Sequence, residues 1–314
     1  MQTPSSTGAV ADAKRGNWVD RYAPDWLRPY ARLARWDRPI GFWLLFWPCG
    51  YALGLTAIAE PARGFDWRAL ILMFIGAVLM RGAGCTFNDI VDRDIDDKVA
   101  RTRLRPIPSG AVTVRQAVAF MVIQSLLGLV VLLQFNMATI WLGIASLLLV
   151  AIYPFMKRVT WWPQLFLGLA FSWGAIVGWT SQTGGLSAPQ LFLYLGCILW
   201  VIGYDTLYAL EDVVDDALIG VKSTARLFGP RAREIVALLY AGAVILWGLA
   251  AWLAGAGPIT LAGLVLIVGQ MAWQLATLDA KVPRNPWLRF HSNRWVGVIF
   301  TAALVLDWAT RLPG

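Results

Sequence analysis

The polar residues at the end of one apolar segment are spaced to line one face of a helix. Asn88, Asp92 and Asp96 follow one another at intervals of four residues, and an α-helix turns once in about 3.6 residues. Arg81 lies seven residues before Asn88 and falls on the same face, two turns deeper in the apolar segment. Asp89 points about 100° away, where it can pair with Arg93 at i+4. The spacing predicts a ladder of oxygen donors with one cation beneath it.

A second acidic stretch ends a later apolar segment. Asp205, Asp212 and Asp216 are separated by seven and then four residues, which on a continuous helix again places them on one face. We expect the two stretches to face each other across a helical bundle.

Two interpretations compete for these stretches. The first is that both are ordinary solvated helix ends. Against it, aspartate is a poor helix former and is unfavourable at a helix C-terminus, where the dipole prefers cations. Arg81 and Asp205 also lie inside apolar segments, where an ionisable group costs on the order of 3 kcal/mol. The second interpretation is a metal site, and oxygen donors without His or Cys suit Mg2+, which binds a few carboxylates together with substrate phosphates.

Basic residues follow both acidic stretches. Arg105 begins Arg-Pro-Ile-Pro-Ser-Gly after the first stretch, Lys222 follows the second, and Lys157 and Arg158 end an intervening segment. Such cations can neutralise the charge of a leaving diphosphate. Each of them, taken singly, is equally well explained as an ordinary cytoplasmic cation of a membrane protein.

The elements that must position these residues are predicted to be membrane helices. Of the 314 residues, 58% are hydrophobic and 15% are charged, and the apolar residues form blocks of roughly the 20 residues that cross a bilayer. Nine blocks can be drawn: Ile40–Ala59, Arg68–Phe87, Val112–Gln134, Ala138–Met156, Pro163–Gln182, Gln190–Leu210, Ala232–Leu253, Ile259–Leu278 and Trp295–Thr310. We expect an all-α, multi-pass protein with residues 39–314 as one membrane domain.

The distribution of cations sets the expected orientation. With nine crossings, 23 of the 27 Lys and Arg residues fall on the side of the N-terminus and of both acidic stretches, and three fall on the other side. Cytoplasmic loops carry this excess, so the N-terminal arm of residues 1–38 and the acidic stretches are predicted to be cytoplasmic. The net charge of +8 therefore needs no nucleic acid to explain it.

The remaining reactive residue types indicate no second chemistry. Cys49, Cys85 and Cys197 lie far apart inside apolar blocks and are predicted to be small buried hydrophobes. His291, the single histidine, is expected in a loop or at an interface. No short apolar region with a cleavage site precedes the first block, so no cleaved signal peptide is expected, and residues 1 to about 15 are predicted to be disordered.

Several strings in this chain resemble the UbiA superfamily of intramembrane prenyltransferases. The acidic signatures are Asn88-Asp-x-x-Asp92-x-x-x-Asp96 and Asp212-x-x-x-Asp216. Further strings of the same kind start at Leu79, Arg105, Tyr153, Tyr204 and Ile219, and Asp37-x-Pro39-Ile-Gly41 opens the first block. The second signature reads Asp-Val-Val-Asp-Asp, with apolar residues where more polar ones are expected. Its middle positions are therefore left without a role.

The resemblance implies an activity and an all-helical bundle around a central cavity open to lipid, which the nine predicted helices would form. The reaction is transfer of a polyprenyl group from polyprenyl diphosphate to the ring carbon ortho to the phenol of 4-hydroxybenzoate, a step of ubiquinone biosynthesis. It also implies the inner membrane of a bacterium as the location. Asn88, Asp92, Asp96, Asp212 and Asp216 would then bind Mg2+ and diphosphate, as the catalytic set. Arg105, Lys157, Arg158 and Lys222 would assist at the diphosphate.

The acceptor and the allylic cation need partners too. We expect Arg81 and Asn88 to bind the acceptor, with Arg81 pairing with the carboxylate of 4-hydroxybenzoate. A structural Arg81–Asp pair is the alternative. Tyr153, Tyr204 and Tyr208 are candidates for stabilising the cation through their π faces, or are plain interface aromatics. Prenyl length and oligomeric state do not follow from the residues.

Two rival functions are retained. Menaquinone-type prenyltransferases, haem-farnesylating synthases and chlorophyll synthases share the acidic signatures, and the strings around Arg81, Tyr153 and Tyr204 favour the 4-hydroxybenzoate enzymes over them. A cation transporter would carry charges through the membrane, whereas the charges here concentrate at one face.

Overall fold

Helices make up the regular structure of the part of the chain that the structure describes. The computed structural model describes residues 16–97, 102–218 and 220–312. The expected disorder of residues 1–15 lies outside the described residues, as do Lys14, Arg15, Lys98 and Arg101 of the cations counted above. Within the three described ranges there is no strand, which confirms the all-α prediction.

Seven of the described helical segments are long and apolar enough to cross a membrane. They are Ile40–Ala59, Trp67–Asp94, Val114–Leu132, Met137–Val159, Ala188–Ala209, Thr224–Leu253 and Pro258–Ala276. Each overlaps one of the nine predicted blocks. The fifth and ninth blocks, Pro163–Gln182 and Trp295–Thr310, are not among the seven.

The chain forms two units, residues 1–42 with 75–133 and residues 43–74 with 134–314. The first five helices in chain order are α1 (Trp18–Tyr22), α2 (Arg28–Leu33), α3 (Ile40–Ala59), α4 (Trp67–Asp96) and α5 (Val114–Leu132). Of these, α3 and α4 contribute residues to both units. The helices that follow, all in the second unit, are α6 (Met137–Val159), α7 (Pro163–Phe171), α8 (Gly174–Thr183), α9 (Ala188–Ala209), α10 (Val213–Leu218), α11 (Thr224–Phe228), α12 (Ala232–Leu253), α13 (Pro258–Ala276) and α14 (Asn285–Ala309).

In the first unit, the described residues before the first apolar block, 16–39, include two short helices. The Asn17 side chain accepts hydrogen bonds from the first amides of α1, as an N-cap does. Leu33, at the end of α2, is buried in a cluster with Ile107, Val112 and Ala117. Burial of aliphatic side chains of this size contributes about 1.5–3 kcal/mol each. The cluster therefore holds α2 and the loop around Ile107 against α5.

In the second unit, α9 packs along α12, α7 and α14. A group of large aromatic side chains fills its centre, since Tyr51, Trp200, Trp247 and Phe300 are all fully buried. The ring centroids of Tyr51 and Phe300 lie 4.8 Å apart, and those of Trp247 and Phe300 lie 5.2 Å apart. Such rings exclude water from the interior and give α9 a rigid setting.

The predicted fifth block is two helices and not one. It breaks at Ser172 and Trp173, between α7 and α8. Beyond the break, Gly174 and Gly178 face α3 so closely that a Cβ on either would lie under 3.0 Å from an atom of Cys49 or Ala52. The hydropathy of the block does not reveal this break, because both pieces are apolar.

Candidate active site

The end of α4 presents a row of buried carboxylates. Asp89, Asp92 and Asp96 are each at most 5% exposed, while Asp94 and Asp97 are exposed. α4 is continuous through Asp96, so the prediction that Asn88, Asp92 and Asp96 share a helical face is confirmed. The buried row also includes Asp89, at i−3 from Asp92 and i−7 from Asp96. Buried carboxylates need cations or hydrogen-bond donors near them.

The predicted pairing of Asp89 with Arg93 is wrong. Asp89 Oδ1 lies 2.6 Å from Arg35 Nη2 and 3.4 Å from Arg105 Nη1. Arg93 points to solvent, with its Nε 3.5 Å from the Asp94 carboxylate. The expected pairing between residues i and i+4 does not form, because Arg35 and Arg105 contact Asp89 on the buried side of α4 while the Arg93 side chain is partly exposed.

Arg35 is held in an unusual backbone conformation. It follows the C-terminus of α2 at φ 59°, the position that usually holds glycine in a Schellman motif. The motif is complete, since Arg35 N donates to Arg32 O at 3.2 Å and Trp36 N donates to Ala31 O at 2.9 Å. A left-handed conformation costs a residue with a Cβ roughly 1–2 kcal/mol. The ion pair with Asp89 and the bonds from Arg35 Nη1 to the carbonyls of Arg32 and Leu33 offset this cost.

Arg105 connects the loop after α4 to the carboxylate row. Its Nη1 lies 2.7 Å from Asp96 Oδ2 as well as 3.4 Å from Asp89. Thr102 Oγ1 donates to the Asp96 carbonyl at 2.8 Å, and Ile107 anchors the loop in the aliphatic cluster. Burial raises the pKa of Asp96 above its usual range, and the Arg105 guanidinium acts in the opposite direction. The string that starts at Arg105 therefore places a guanidinium on the first acidic stretch.

Replacing Asp89 should destabilise the protein strongly. Asp89→Ala leaves Arg35, whose side chain is 11% exposed, without its buried counter-ion, and breaking a buried pair in this way costs about 3–5 kcal/mol. The thermal unfolding temperature of the detergent-solubilised protein should fall well below that of Asp94→Ala, whose carboxylate is 81% exposed. Equal unfolding temperatures for the two variants would show that the Asp89 cluster contributes little to stability.

The donor set at the end of α4 fits Mg2+. Asp92 and Asp96 are buried one turn apart, and Asn88 is half-buried on the same face. All three offer oxygen ligands, which Mg2+ prefers, together with room for substrate phosphates in its octahedral shell. Within the described ranges, no three His, Cys, Asp or Glu side chains already converge on a metal position. The fit therefore rests on the chemistry of the donors.

Arg81 lies deeper on α4, where Gly41 makes room for it. A Cβ added to Gly41 would lie 2.5 Å from Arg81 Nε and 3.1 Å from Cζ, so the guanidinium lies directly against the glycine backbone. The Asp37-x-Pro39-Ile-Gly41 string thus includes the residue that accommodates Arg81. Only the absence of a side chain at this point lets the helices approach so closely.

The second acidic stretch does not form a continuous ladder, contrary to the prediction. α9 ends at Ala209, and Asp212 lies in a turn before α10. In that turn Glu211 N donates to Tyr208 O and Asp212 N to Ala209 O, each at 3.2 Å. The break has an electrostatic reason. In one long helix the acids would crowd the negative end of the dipole, whereas Asp215 and Asp216 now lie in the first turn of α10, where carboxylates are favoured.

Lys222, in the loop after α10, contacts the end of α6 that carries two other predicted basic residues. The Lys222 amide donates to Lys157 O at 2.9 Å, and Lys222 Nζ donates to Val159 O at 3.1 Å. The end of α6, which carries Lys157 and Arg158, is thereby joined to Lys222. Arg226 holds the same loop by donating to the carbonyls of Asp216 and Val221.

The predicted tyrosines have different surroundings. Tyr204 is fully buried, with its ring centroid 5.1 Å from that of Trp200 and 5.7 Å from that of Phe290. Tyr208 is half-buried, 4.8 Å from Phe290, and Tyr153 is half-buried on α6. Phe290, on α14, belongs to a segment without a sequence signature, so its contact with both tyrosines was not predicted.

The remaining reactive side chains are structural. Cys49, Cys85 and Cys197 are buried and unbonded to one another, as predicted. His291 lies inside α14 and not in a loop, with its ring centroid 3.6 Å from that of Trp287 and the two ring planes tilted by 31°.

The sequence matches the model of a known protein family. The model of the UbiA prenyltransferase family matches residues 45–302. The chain belongs to this family. The match includes the acidic stretches and all the basic strings described above, and it confirms the resemblance inferred from the motifs.

Curated UbiA relatives match most of the chain. A protein of Arabidopsis thaliana named 4-hydroxybenzoate polyprenyltransferase, mitochondrial, is 44% identical over 303 residues, which are 96% of this chain and 73% of the relative. Proteins of the same name from Bos taurus and Homo sapiens are 46% and 45% identical, covering 90% and 97% of this chain and 76% and 80% of their own lengths.

Solved structures of UbiA homologues share the fold. The apo structure of a homologue from Aeropyrum pernix K1 is 27% identical, with a TM-score of 0.69 over 84% of this chain and 97% of its own. A homologue from Archaeoglobus fulgidus, bound to GPP and Mg2+, has a TM-score of 0.67 at 20% identity and covers 88% of this chain and 99% of its own. The latter likeness concerns the fold alone.

Proposed function

We propose that this UbiA-family protein is a 4-hydroxybenzoate polyprenyltransferase. It transfers a polyprenyl group from polyprenyl diphosphate to the ring carbon ortho to the phenol of 4-hydroxybenzoate and releases diphosphate, as a step of ubiquinone biosynthesis. The observation that supports it most is the identity of 44–46% to relatives of that name over 90% or more of the chain. The same identity argues against the menaquinone-type, haem-farnesylating and chlorophyll-synthase alternatives, and membership of a prenyltransferase family argues against a cation transporter.

The mechanism begins with charge neutralisation at the diphosphate. Asn88, Asp92 and Asp96 from α4 and Asp212 and Asp216 from the second stretch are the proposed Mg2+ ligands. When bound, Mg2+ would take up negative charge as the allylic C–O bond breaks. Arg105, Lys157, Arg158 and Lys222 donate to the diphosphate oxygens.

The acceptor side of the mechanism is assigned to Arg81 and the tyrosines. Arg81 binds the benzoate carboxylate and holds the ring so that the carbon ortho to the phenol meets the allylic cation. A C–C bond forms there, the ring loses the proton from that carbon, and aromaticity returns. Tyr153, Tyr204 and Tyr208 are proposed to face the cation, in surroundings that exclude the water that would quench it.

We also propose nine membrane crossings around the central, lipid-open cavity that the resemblance implies. The two crossings beyond the seven candidate helices are α7 together with α8, and α14. A broken helix is tolerated in a membrane when neighbours cover it, and α7, α8 and α14 pack on α9. Nine crossings keep the Lys and Arg excess on one side, which supports a cytoplasmic site and, in a bacterium, location in the inner membrane.

A reconstituted assay tests the function and the metal together. The protein in liposomes should prenylate 4-hydroxybenzoate with prenyl diphosphates of one or more lengths, lose this activity in excess chelator and regain it with Mg2+. A naphthoate acceptor should give little product, and labelled cations should not be taken up. Prenylation of the naphthoate alone would overturn the acceptor assignment, and full activity in excess chelator would overturn the proposed metal site.

A further inference from the structure

Glu211 occupies a position that neither the motifs nor the mechanism explains. It stands directly before Asp212, in the turn between α9 and α10. Its Oε1 accepts a hydrogen bond at 3.1 Å from the main-chain N–H of Trp287, which is 76 residues away in the sequence. Trp287 is the third residue of α14, so a carboxylate of the second acidic stretch meets the N-terminus of the last long helix.

α14 has no cap of its own. Arg284 precedes it at φ 63° and offers no capping side-chain bond. The first amides of a helix have no partner within it, and Pro286 removes one of them. Glu211 satisfies the amide of Trp287 from outside, with a negative charge at the end of the helix where the dipole favours one.

A second contact joins the same two segments one turn further on. Phe290 of α14 packs against Tyr208 and Tyr204, near the C-terminal end of α9, with ring centroids 4.8 Å and 5.7 Å apart. The Arg284 guanidinium lies over the Trp287 ring at 4.6 Å, which stiffens the first turn of α14. α14 is therefore joined to the turn that carries Asp212 by a hydrogen bond, and to the end of α9 just before that turn by aromatic packing.

We propose that Glu211 is a positioning residue: by capping α14 it holds the turn in which Asp212 presents its carboxylate. This inference rests on the proposed function of Asp212, and it adds that α14, which carries no signature, sets the geometry of the second acidic stretch. In this proposal the length of the Glu211 side chain and its acceptor oxygen matter most, and its negative charge contributes less to the capping of α14.

Three substitutions separate these properties. Glu211→Gln keeps the reach and the acceptor but loses the charge, Glu211→Asp keeps the charge but is one methylene too short, and Glu211→Ala loses everything. The Mg2+ concentration for half-maximal activity should rise about tenfold in the Asp and Ala variants, the loss of one good hydrogen bond. It should stay within about twofold of the wild type in Glu211→Gln, with kcat changing less than the Mg2+ requirement in all three.

Hydrogen exchange provides a readout that does not depend on activity. Peptides covering residues 284–291 and 209–216 should exchange faster in Glu211→Asp and Glu211→Ala and at close to the wild-type rate in Glu211→Gln. Glu234→Ala is the matched control, because Glu234 is an exposed acid in the first turn of α12, and it should change neither measurement.

The outcomes distinguish this inference from the proposed function. Glu211→Gln as impaired as Glu211→Ala would mean that the charge itself is required, as for a metal ligand, and would overturn the capping role. Faster hydrogen exchange in Glu211→Asp and Glu211→Ala with an unchanged Mg2+ requirement would show that the contact stabilises the fold without positioning Asp212, and would overturn the positioning role. A wild-type protein that caps α14 through Glu211 but transfers no prenyl group would refute the proposed function instead.

Discussion

Asp92→Asn and Asp212→Asn should each remove most prenyl transfer while the protein remains folded. Asparagine has the shape of aspartate but lacks its charge, so each change removes one strong proposed ligand for Mg2+ without opening a cavity. Asp92 is 1% exposed on the buried side of α4, and Asp212 lies at the turn that Glu211 anchors. Removing one preorganised group that neutralises developing charge typically lowers kcat about 100- to 1000-fold, and we expect losses of this size.

Neighbouring aspartates provide controls on the same elements. Asp94 and Asp215 are exposed and lie on α4 and α10, so Asp94→Asn and Asp215→Asn should keep near-normal rates. Initial rates in liposomes at saturating Mg2+ measure the effect, and circular dichroism checks the helix content. If Asp92→Asn or Asp212→Asn is as active as its control, that stretch is a solvated helix end and the proposed metal site is wrong there.

Arg81→Ala should raise the apparent KM for 4-hydroxybenzoate far more than the apparent KM for the prenyl diphosphate. The guanidinium lies in an apolar part of α4, and the acceptor supplies a carboxylate that a guanidinium can bind through two parallel hydrogen bonds. Losing a charge-assisted hydrogen-bonded pair corresponds to about a 10- to 100-fold increase in KM. Arg81→Lys should be only a partial replacement, because an ammonium cannot form the bidentate pair.

Gly41→Ala tests the same assignment without changing the charge. The new Cβ would lie 2.5 Å from Arg81 Nε, so the guanidinium must move, and the KM for 4-hydroxybenzoate should rise here as well. Gly76→Ala is the matched control on α4, since its Cβ would meet Val131 at an ordinary 3.6 Å.

Two results for Arg81→Ala would contradict the assignment. Equal increases in the KM for 4-hydroxybenzoate and in the KM for the prenyl diphosphate would make Arg81 a diphosphate ligand. A loss of folding alone would make it a structural residue.

The local pattern of the sequence was sufficient to place three polar residues of the first acidic stretch on one helical face and to predict the membrane class. Spacing by four residues places Asn88, Asp92 and Asp96 on one face of any α-helix, and α4 is continuous through them. The apolar blocks likewise predict helices, because they are about 20 residues long and a helix of that length crosses the bilayer with its backbone groups paired within one segment. The family could be inferred because several short motifs occur in the same order along the chain, and each motif is recognisable from a few neighbouring residues.

Contacts between distant segments decided the rest. Asp89 pairs with Arg35 and Arg105, 54 and 16 residues away, because burial excludes Arg93 from that side of the helix. Arg35 adopts a left-handed conformation that no propensity favours, since the ion pair offsets its strain. The second stretch breaks after Ala209 and is anchored by Glu211 to Trp287. Helical periodicity extends only over neighbouring turns, whereas ion pairs, caps and aromatic packing join residues that only the folded chain brings together.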